Sequence, residues 1–258
     1  MSKFLIIPAR DNITESLALS KKYDLGFEYN DFFIPDVMDN PELTEEIIGG
    51  YKSYRLPEYC TMHGAFFDVT IFSSDKKIRA VSEERIYTSL DIARKIGAKG
   101  VVFHTNHNPS LTAKSYVEGW LDCNEEFFRK ALSKYSDLEI YMENMFDTSP
   151  DMLTTLAKRL SDMKNFGICF DYAHAVIYGS DIDGWVKSVA PFVKHMHIND
   201  NDLENDLHLA VGDGKIGWNK FKSHFENELS AAESVLIETS SIENQQRSAE
   251  FLAKLGLI

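Results

Sequence analysis

The chain has 258 residues, of which 44% are hydrophobic and 26% charged, which is ordinary for a globular protein with a full core and argues against disorder. Its formal net charge of −13 creates an average field that repels phosphate backbones and anionic membranes, and this weighs against nucleic acid as a partner. The three cysteines form no Cys-x-x-Cys pair, so a disulfide framework and a zinc ribbon are both excluded.

Two features of the sequence predict the cellular compartment of the protein. The apolar stretch within Met1–Arg10 is too short for the core of a signal peptide, and no other run approaches the length of a membrane span. Free thiols suit a reducing compartment. We therefore expect a cytoplasmic protein without membrane association.

Strand-like and helix-like segments alternate along the whole chain. The predicted strands are Phe4–Ile7, Leu25–Tyr29, Tyr59–His63, Gly100–His104, Glu139–Glu143, Phe166–Asp171, Val193–Ile198 and Ser234–Glu238. The later helices are predicted near Leu111–Lys134, Pro150–Lys164, Asp183–Val189, Trp218–Leu229 and Asn244–Leu255.

Local signals mark the ends of the earlier helices. Asn12 with Glu15 three residues on predicts a capping box at the start of the first helix. Pro41, after Asn40, suits the first position of the next helix. Gly97 suits the end of the long helix that precedes Gly100.

Eight strand–helix pairs predict right-handed parallel crossovers that close into one α/β domain, a (β/α)8 TIM barrel over residues 1–258. The main rival is an open, doubly wound sheet. That fold predicts a Gly-rich phosphate-binding turn after the first strand, and Pro8-Ala9-Arg10-Asp11 is not one.

Residues of the types that bind divalent metals recur at the predicted strand ends and in the long connection between Asn199 and Gly217. They are His63, His104, Glu143, Asp171, His174, His197, Asp206, His208 and Glu238. The C-terminal strand ends of a parallel barrel meet at its mouth, where active sites lie. Three carboxylates converging there would repel one another unless a cation were present. The pattern therefore predicts a metal enzyme.

Each of these residues also has a simpler interpretation when it is taken alone. His63 or His104 could be a hydrogen-bonded loop residue, Asp206 and His208 could be solvated, and Glu143 or Glu238 could be an ion-pair partner. Their shared position favours metal binding. We place His195 in the core or behind the site, and we expect His107 and His224 on the surface. Trp120 and Trp185 are expected to pack between helices, and Phe66 and Phe67 either join the core or form an apolar wall over the substrate.

These residues resemble the xylose-isomerase-like TIM-barrel superfamily, which holds sugar isomerases and epimerases together with the endonuclease IV family of apurinic-site nucleases. The resemblance covers nearly the whole chain. It is carried by Met62-His63-Gly64-Ala65-Phe66, Val102-Phe103-His104, Met142-Glu143-Asn144, Cys169-Phe170-Asp171-Tyr172-Ala173-His174-Ala175, His195-Met196-His197-Ile198-Asn199-Asp200, Asp206-Leu207-His208-Leu209, Gly212-Asp213-Gly214-Lys215-Ile216-Gly217-Trp218 and Ile237-Glu238.

The two branches of the superfamily imply different uses of the same positions. Resemblance to the ketose 3-epimerases implies one metal held by Glu143, Asp171, His197 and Glu238, with the two glutamates also moving protons on either face of a sugar. Resemblance to endonuclease IV implies a trinuclear zinc cluster, and all nine of its ligand positions have a matching residue in this chain.

The chain also departs from both patterns. Tyr172-Ala173 stands where the nucleases carry Thr-Cys, Glu28 is typical of isomerase-like members, and the segment from Asn30 to Asp36 is acidic and apolar where a nuclease would need a cationic loop. In the other direction, the loop after His197 lacks the arginine that epimerases use near the substrate.

The leading hypothesis from the sequence is a metal-dependent isomerase or epimerase of a sugar or sugar phosphate, in which Glu143 and Glu238 form the acid–base pair. His174 and Phe66 would contact the substrate. The cofactor would be one to three ions of manganese, zinc, cobalt or iron, the partner a small carbohydrate rather than nucleic acid, and a homo-oligomer is compatible with the sequence. The alternatives are a zinc-dependent phosphodiesterase of endonuclease IV type and a metal-containing barrel that binds without turnover.

Overall fold

The structure is a computed structural model that describes residues 2–66 and 68–258. Eight parallel strands close into one barrel in which each strand pairs with the next and β8 pairs with β1. The strands are β1 Lys3–Ile6, β2 Gly26–Tyr29, β3 Cys60–His63, β4 Gly100–His104, β5 Glu139–Glu143, β6 Phe166–Asp171, β7 Val193–Ile198 and β8 Ser234–Ile237. The predicted fold and all eight strands are confirmed, although the ends of four strands differ by one residue.

Helices surround the barrel and cover its outer face. They are α1 Ile13–Tyr23, α2 Pro35–Met38, α3 Pro41–Lys52, α4 Lys76–Ile96, α5 Lys114–Lys134, α6 Asp151–Arg159, α7 Tyr172–Tyr178, α8 Ile182–Val189, α9 Trp218–Asn227 and α10 Ile242–Leu255. The sequence pattern did not predict the short helices α2 and α7. Among the described residues, no helix is both long and apolar enough to cross a membrane.

The helix-end predictions have mixed outcomes. Asn40 accepts a hydrogen bond from the Leu43 amide, and Gly97 ends α4 with a φ of 85°, as predicted. The capping box at Asn12 is wrong, because its side chain makes no capping bond. A short 3₁₀ turn, Arg10–Asn12, leads into α1 instead, and the Asn12 amide donates to the carbonyl of Ala9.

The core lies between the sheet and the helices, and Trp120 and Trp185 are buried there as predicted. Two surface predictions are wrong. His224 is buried, and its ring pairs with the Tyr172 hydroxyl at 3.1 Å and with Asp183 at 2.8 Å. The His107 side chain is only 9% exposed and packs against the Trp120 ring. Phe67 lies outside the described residues, so its predicted place in the core or over the substrate is untested.

The barrel interior is polar as well as apolar. Glu28, Thr61, His195 and Ser234 are fully buried inside it. Gly100 leaves room for the Tyr141 ring, since a Cβ at this position would come within 2.5 Å of that ring. The interior is thus a packed layer of side chains that supports the barrel mouth from below.

Candidate metal centre

All nine residues predicted as ligands lie at the C-terminal mouth of the barrel, and the strand ends explain why. His63, His104, Glu143 and Asp171 are the last residues of β3, β4, β5 and β6. Glu238 follows β8 directly, and its amide donates to the Ile198 carbonyl of β7. The donor atoms of the nine residues form three groups, and within each group they lie within 4.8 Å of one another.

The central group contains Glu143, Asp171, His197 and Glu238. The His197 Nδ1 lies 3.2 Å from the Glu143 Oε1 and 3.5 Å from the Glu238 Oε2. Asp171 begins α7, where its Oδ1 accepts a hydrogen bond from the His174 amide at 2.7 Å. This bond leaves the Asp171 Oδ2 free for the group.

The second group places two histidines beside the other oxygen of Glu143. The Nε2 of His104 lies 3.2 Å from the Glu143 Oε2, and the Nε2 of His63 lies 3.6 Å from the same atom. The Nδ1 of His63 contacts the Gly64 carbonyl at 2.9 Å, which orients that ring. The two oxygens of Glu143 therefore face two different donor groups.

The third group is built by α7 and the long loop after β7. The Nε2 atoms of His174 and His208 each lie 3.2 Å from the Asp206 Oδ2. The opposite nitrogens are held by backbone carbonyls, His174 Nδ1 by Asn144 and His208 Nδ1 by Glu238. Both rings therefore point their Nε2 atoms toward the Asp206 Oδ2.

Asp200 holds the long loop that carries Asp206 and His208. Its buried carboxylate accepts hydrogen bonds from the amides of Asn201, Gly212 and Ile216 and from the indole of Trp218. These hydrogen bonds fix the loop in place at the barrel mouth. His208 sits there with a φ of 47°, a left-handed conformation that a residue with a side chain adopts only at a cost of about 1–3 kcal/mol.

Unpaired buried polar atoms indicate that the donor set fits a divalent cation. Each residue of the central group has a buried polar atom without a hydrogen-bond partner among the described residues, namely the Glu143 carboxylate oxygens, Asp171 Oδ2, His197 Nδ1 and Glu238 Oε2. Buried polar atoms are rarely left unpaired, because each unmet bond costs about 1–3 kcal/mol. Imidazole and carboxylate donors suit zinc, manganese, iron or cobalt.

Several ionisable groups of the centre have shifted pKa values. Burial alone would raise the pKa of Glu143, but the charges of His197 and His104 hold it well below its usual range. Burial raises the pKa of Asp171 to about 7, and the charges of Glu238 and Glu143 add to that rise. Burial opposes a charge on His208, but its hydrogen bond to Asp206 and the Glu238 charge raise its pKa to about 9.

We predict that metal binding at neutral pH releases protons. Burial disfavours the charged forms of His174 and His197. The carboxylates around His174, and Cys169 together with the carboxylates around His197, raise both pKa values well above 6.5. A raised pKa favours the protonated ring, whereas a metal requires the neutral ring. The apparent zinc affinity should therefore rise with pH up to about 9, the pKa of His208. Calorimetric titration in two buffers of different ionisation enthalpy measures the release, and a pH-independent affinity would contradict the prediction.

A fourth donor group, Cys169, His195 and His197, lies beneath the mouth. It is not available to a cation in the same way. The two ring nitrogens of His195 are already engaged, Nδ1 with the Ser234 hydroxyl at 2.7 Å and Nε2 with Glu28 at 2.9 Å. Burial raises the pKa of the Cys169 thiol well above its usual value, so it stays protonated. The position of His195 behind the site agrees with the sequence-based expectation.

The mouth opens into a cavity of about 270 Å³. Phe66 and Phe33 form an apolar wall whose rings meet edge to face at 4.7 Å, and the Phe66 ring also lies against His63 and His104. Asn30 lines the same cavity, and its Oδ1 is buried without a hydrogen-bond partner among the described residues. No lysine or arginine is among the ten described residues that line this space.

The sequence alone assigns no role at the site to Glu28, Asn144 or Phe33. Glu28 contacts His197 from below, and Asn144 fixes β5 against β6 through two hydrogen bonds with the Asp171 backbone. Phe33 forms half of the aromatic wall. The available signals were an acidic residue inside an apolar strand, at Glu28, and the Asn that directly follows Glu143.

Comparison with known proteins agrees with the fold. A family model described as xylose isomerase-like TIM barrel matches residues 21–255. The chain belongs to this family. The predicted resemblance is thereby confirmed, and the known enzymes of the xylose isomerase-like family include epimerases and endonuclease IV.

Relatives of both kinds are found. The chain is 24% identical over 181 residues to the probable endonuclease 4 of Campylobacter concisus, covering 62% of this chain and 62% of that protein. Among solved structures, the TTHB071 protein from Thermus thermophilus soaked with ZnCl2 matches with a TM-score of 0.77 at 22% identity, over 99% of this chain and 98% of that one. A D-tagatose 3-epimerase-like protein matches with a TM-score of 0.76 at 22% identity, over 98% and 96%.

Proposed function

We propose that the chain is a metal-dependent hydrolase that cleaves a phosphate ester of a small carbohydrate at a centre of up to three divalent ions. The observation that carries the proposal is the placement of Glu143. Its Oε2 faces His63 and His104, while its Oε1 faces His197. A carboxylate shared in this way suits a bridge between ions, and it leaves neither oxygen free to act as a mobile base.

Each donor group would hold one ion. His63, His104 and Glu143 would hold the first, Glu143, Asp171, His197 and Glu238 the second, and His174, Asp206 and His208 the third. Ions held there would supply Lewis acidity, which would lower the pKa of a water and offset negative charge on a phosphoryl group. The multinuclear arrangement is what separates this proposal from a single-metal epimerase.

The protein's own groups orient the reactants. The Glu238 Oε2 is buried without a hydrogen-bond partner among the described residues and lies 3.5 Å from His197 and 3.8 Å from His208. At this position Oε2 would be a donor to an ion, and the other oxygen of the same carboxylate would orient an attacking water and accept its proton. Phe33 and Phe66 would exclude bulk water from one side of the cavity.

The cavity supports a small substrate. A volume of about 270 Å³ falls just below the range of about 300–1,000 Å³ that is usual for small-ligand pockets, and it suits a monosaccharide-sized group. Asn30 offers an unpaired carbonyl oxygen that could accept a bond from a hydroxyl. The solved structures of sugar-acting relatives support a carbohydrate, and the endonuclease 4 relatives support phosphate ester chemistry.

The isomerase or epimerase remains a second candidate function because a specific observation favours it. Glu143 and Glu238 both belong to the central donor group and both approach His197. In that reaction they would serve as the acid–base pair for a proton on the carbon beside a carbonyl. His63, His104 and His208 would then line the site without holding ions.

Metal counting separates the two candidate functions. We expect protein purified without chelator and saturated with zinc to retain up to three ions per chain, one for each donor group. It should hydrolyse p-nitrophenyl phosphate or its diester, and chelation should abolish that activity until metal is returned. Metal analysis and a colorimetric assay make the measurements.

The matched variants are His208→Gln and His224→Gln. The first removes a donor of the third group, so one ion should be lost. The second replaces a buried histidine outside all the groups that contacts Tyr172 and Asp183 instead, so the metal count should not change. A single ion per chain, with ketose epimerisation and no ester hydrolysis, would replace the proposal by the second candidate.

We predict that duplex DNA containing an abasic site is not cut at a useful rate. DNA affinity depends on cationic contacts with phosphates. The formal charge of the chain is −13, and no lysine or arginine is among the described residues lining the cavity. Incision of a labelled abasic duplex, followed on a denaturing gel at moderate salt, tests this point. Rapid chelator-sensitive incision would show that the substrate is DNA.

A further inference from the structure

The ring of His197 stands between the donor groups above it and a buried carboxylate below it. Its Nδ1 faces Glu143 and Glu238, as described above. Its Nε2 lies 3.1 Å from the Oε1 of Glu28, and neither of these two buried atoms has a hydrogen-bond partner elsewhere among the described residues. His197 and Glu28 have no exposed surface, so solvent cannot orient the ring.

Glu28 is itself held on its other oxygen. Its Oε2 accepts a hydrogen bond from the Thr61 hydroxyl at 2.6 Å and contacts the Nε2 of His195 at 2.9 Å. The Nδ1 of His195 in turn contacts the Ser234 hydroxyl at 2.7 Å. These residues come from β2, β3, β7 and β8, so the carboxylate is fixed from several strands at once.

The burial of the Glu28 carboxylate carries a free-energy cost that calls for an explanation. Burying a carboxylate in an apolar interior is expensive, and an apolar side chain would fill a barrel layer at lower cost. Metal-binding histidines commonly give their second N–H to a carboxylate, which fixes the ring orientation and the nitrogen that remains for the metal. Glu28 stands where that partner would stand for His197.

We propose that Glu28 is a positioning residue for the metal centre, which holds the Nε2 proton of His197 so that Nδ1 faces the central donor group. The proposal rests on the proposed function in that it takes His197 as a ligand. Glu28 makes no contact with the substrate cavity, so it acts only through His197. His195 and Thr61 complete the arrangement by fixing the Glu28 carboxylate.

The test compares metal affinities in Glu28→Gln and in a matched control. The amide keeps the shape but removes the charge and one acceptor, so one ion should bind about 10–100-fold more weakly, which is usual when such a partner is lost. The control is Tyr141→Phe. It removes a buried hydroxyl that has no hydrogen-bond partner among the described residues and belongs to a ring that stacks on His195, so affinity should not change. Competition against a chromophoric chelator measures affinity, and the visible spectrum of the cobalt-loaded proteins reports the ligand geometry.

A measurement on the wild-type protein keeps the test independent of how the variant folds. In the zinc-loaded protein, ¹⁵N NMR should show the His197 ring protonated at Nε2 with Nδ1 bound to metal. Protonation at Nδ1, or unchanged affinity and an unchanged cobalt spectrum in Glu28→Gln, would overturn the positioning role and leave the proposed function standing. Failure of the wild-type protein to retain any ion would overturn both.

Discussion

Replacement of Glu143 by glutamine is expected to remove the largest share of activity of any single change at the site. Glutamine offers one oxygen donor where the carboxylate offers two, and it carries no charge. The group around His63 and His104 and the group around His197 would therefore both lose an anionic donor. We expect the variant to retain at most one ion per chain under conditions that saturate the wild-type protein.

The expected loss of ester hydrolysis is at least about 10³-fold. Metal ions contribute several kcal/mol to transition-state stabilisation, and about 1.4 kcal/mol corresponds to a factor of ten in rate. Glu139→Gln is the matched control, since Glu139 lies at the opposite end of the same strand and pairs with Lys194. Metal analysis and initial rates provide the comparison. If the Glu143→Gln protein retained as many ions as the wild type, Glu143 would not bridge ions.

The barrel was predictable because its signals are local. The strands read as short, mostly apolar runs, and where a ligand-type residue closes a run, the parallel topology carries that residue to the mouth. Glu143 and Asp171 are at strand ends both in the sequence pattern and in the structure. Only the end residues of some strands differed, as with Glu238, which follows β8 yet still bonds to β7.

The parts that escaped prediction depend on contacts between distant residues. Asp206 and His208 are predicted as ligands, but the network that holds their loop is not: Asp200 accepts hydrogen bonds from the Gly212 amide and from the indole of Trp218. Glu28 contacts His195, which lies 167 residues away in the chain. No local sequence pattern predicts such a contact. His224 reads as a polar residue on a helix, but Asp183 and Tyr172 cover it in the fold.

The donor group around His63 and His104 bears on the choice between a hydrolase and an epimerase. The leading hypothesis from the sequence is an acid–base pair of Glu143 and Glu238 at a centre of one to three ions, with His63 and His104 among the candidate ligands. The structure places both histidines beside the second oxygen of Glu143. A carboxylate engaged on both sides is better suited to joining ions than to carrying a proton, which is why we now favour hydrolysis.

Replacement of Glu238 by glutamine is expected to reduce hydrolysis by at least about 10²-fold, in line with the usual contribution of a general acid or base. In contrast to Glu143, this residue belongs to one donor group, so at most one ion should be lost. Glu243→Gln is a suitable control because Glu243 lies five positions along the chain, in the first turn of α10 and outside all the donor groups. Rates, metal content and thermal unfolding should be measured together.

The stability of the metal-free Glu238→Gln protein separates a chemical role from a structural one. Burial raises the pKa of Asp171 from 3.8 to about 7, and the Glu238 charge contributes to the rise. A carboxyl that holds its proton more tightly in the folded state costs stability as the pH rises from about 4 to about 7, and the full cost persists above that range. Neutralising Glu238 weakens this repulsion but also removes the attraction to His197 and His208 that lowers the pKa of Glu238. The two effects oppose each other, so with chelator at pH 8 the free energy of unfolding should change little. Near-normal turnover would exclude Glu238 from the chemistry, whereas a marked loss of metal-free stability would mean that its main role is in the fold.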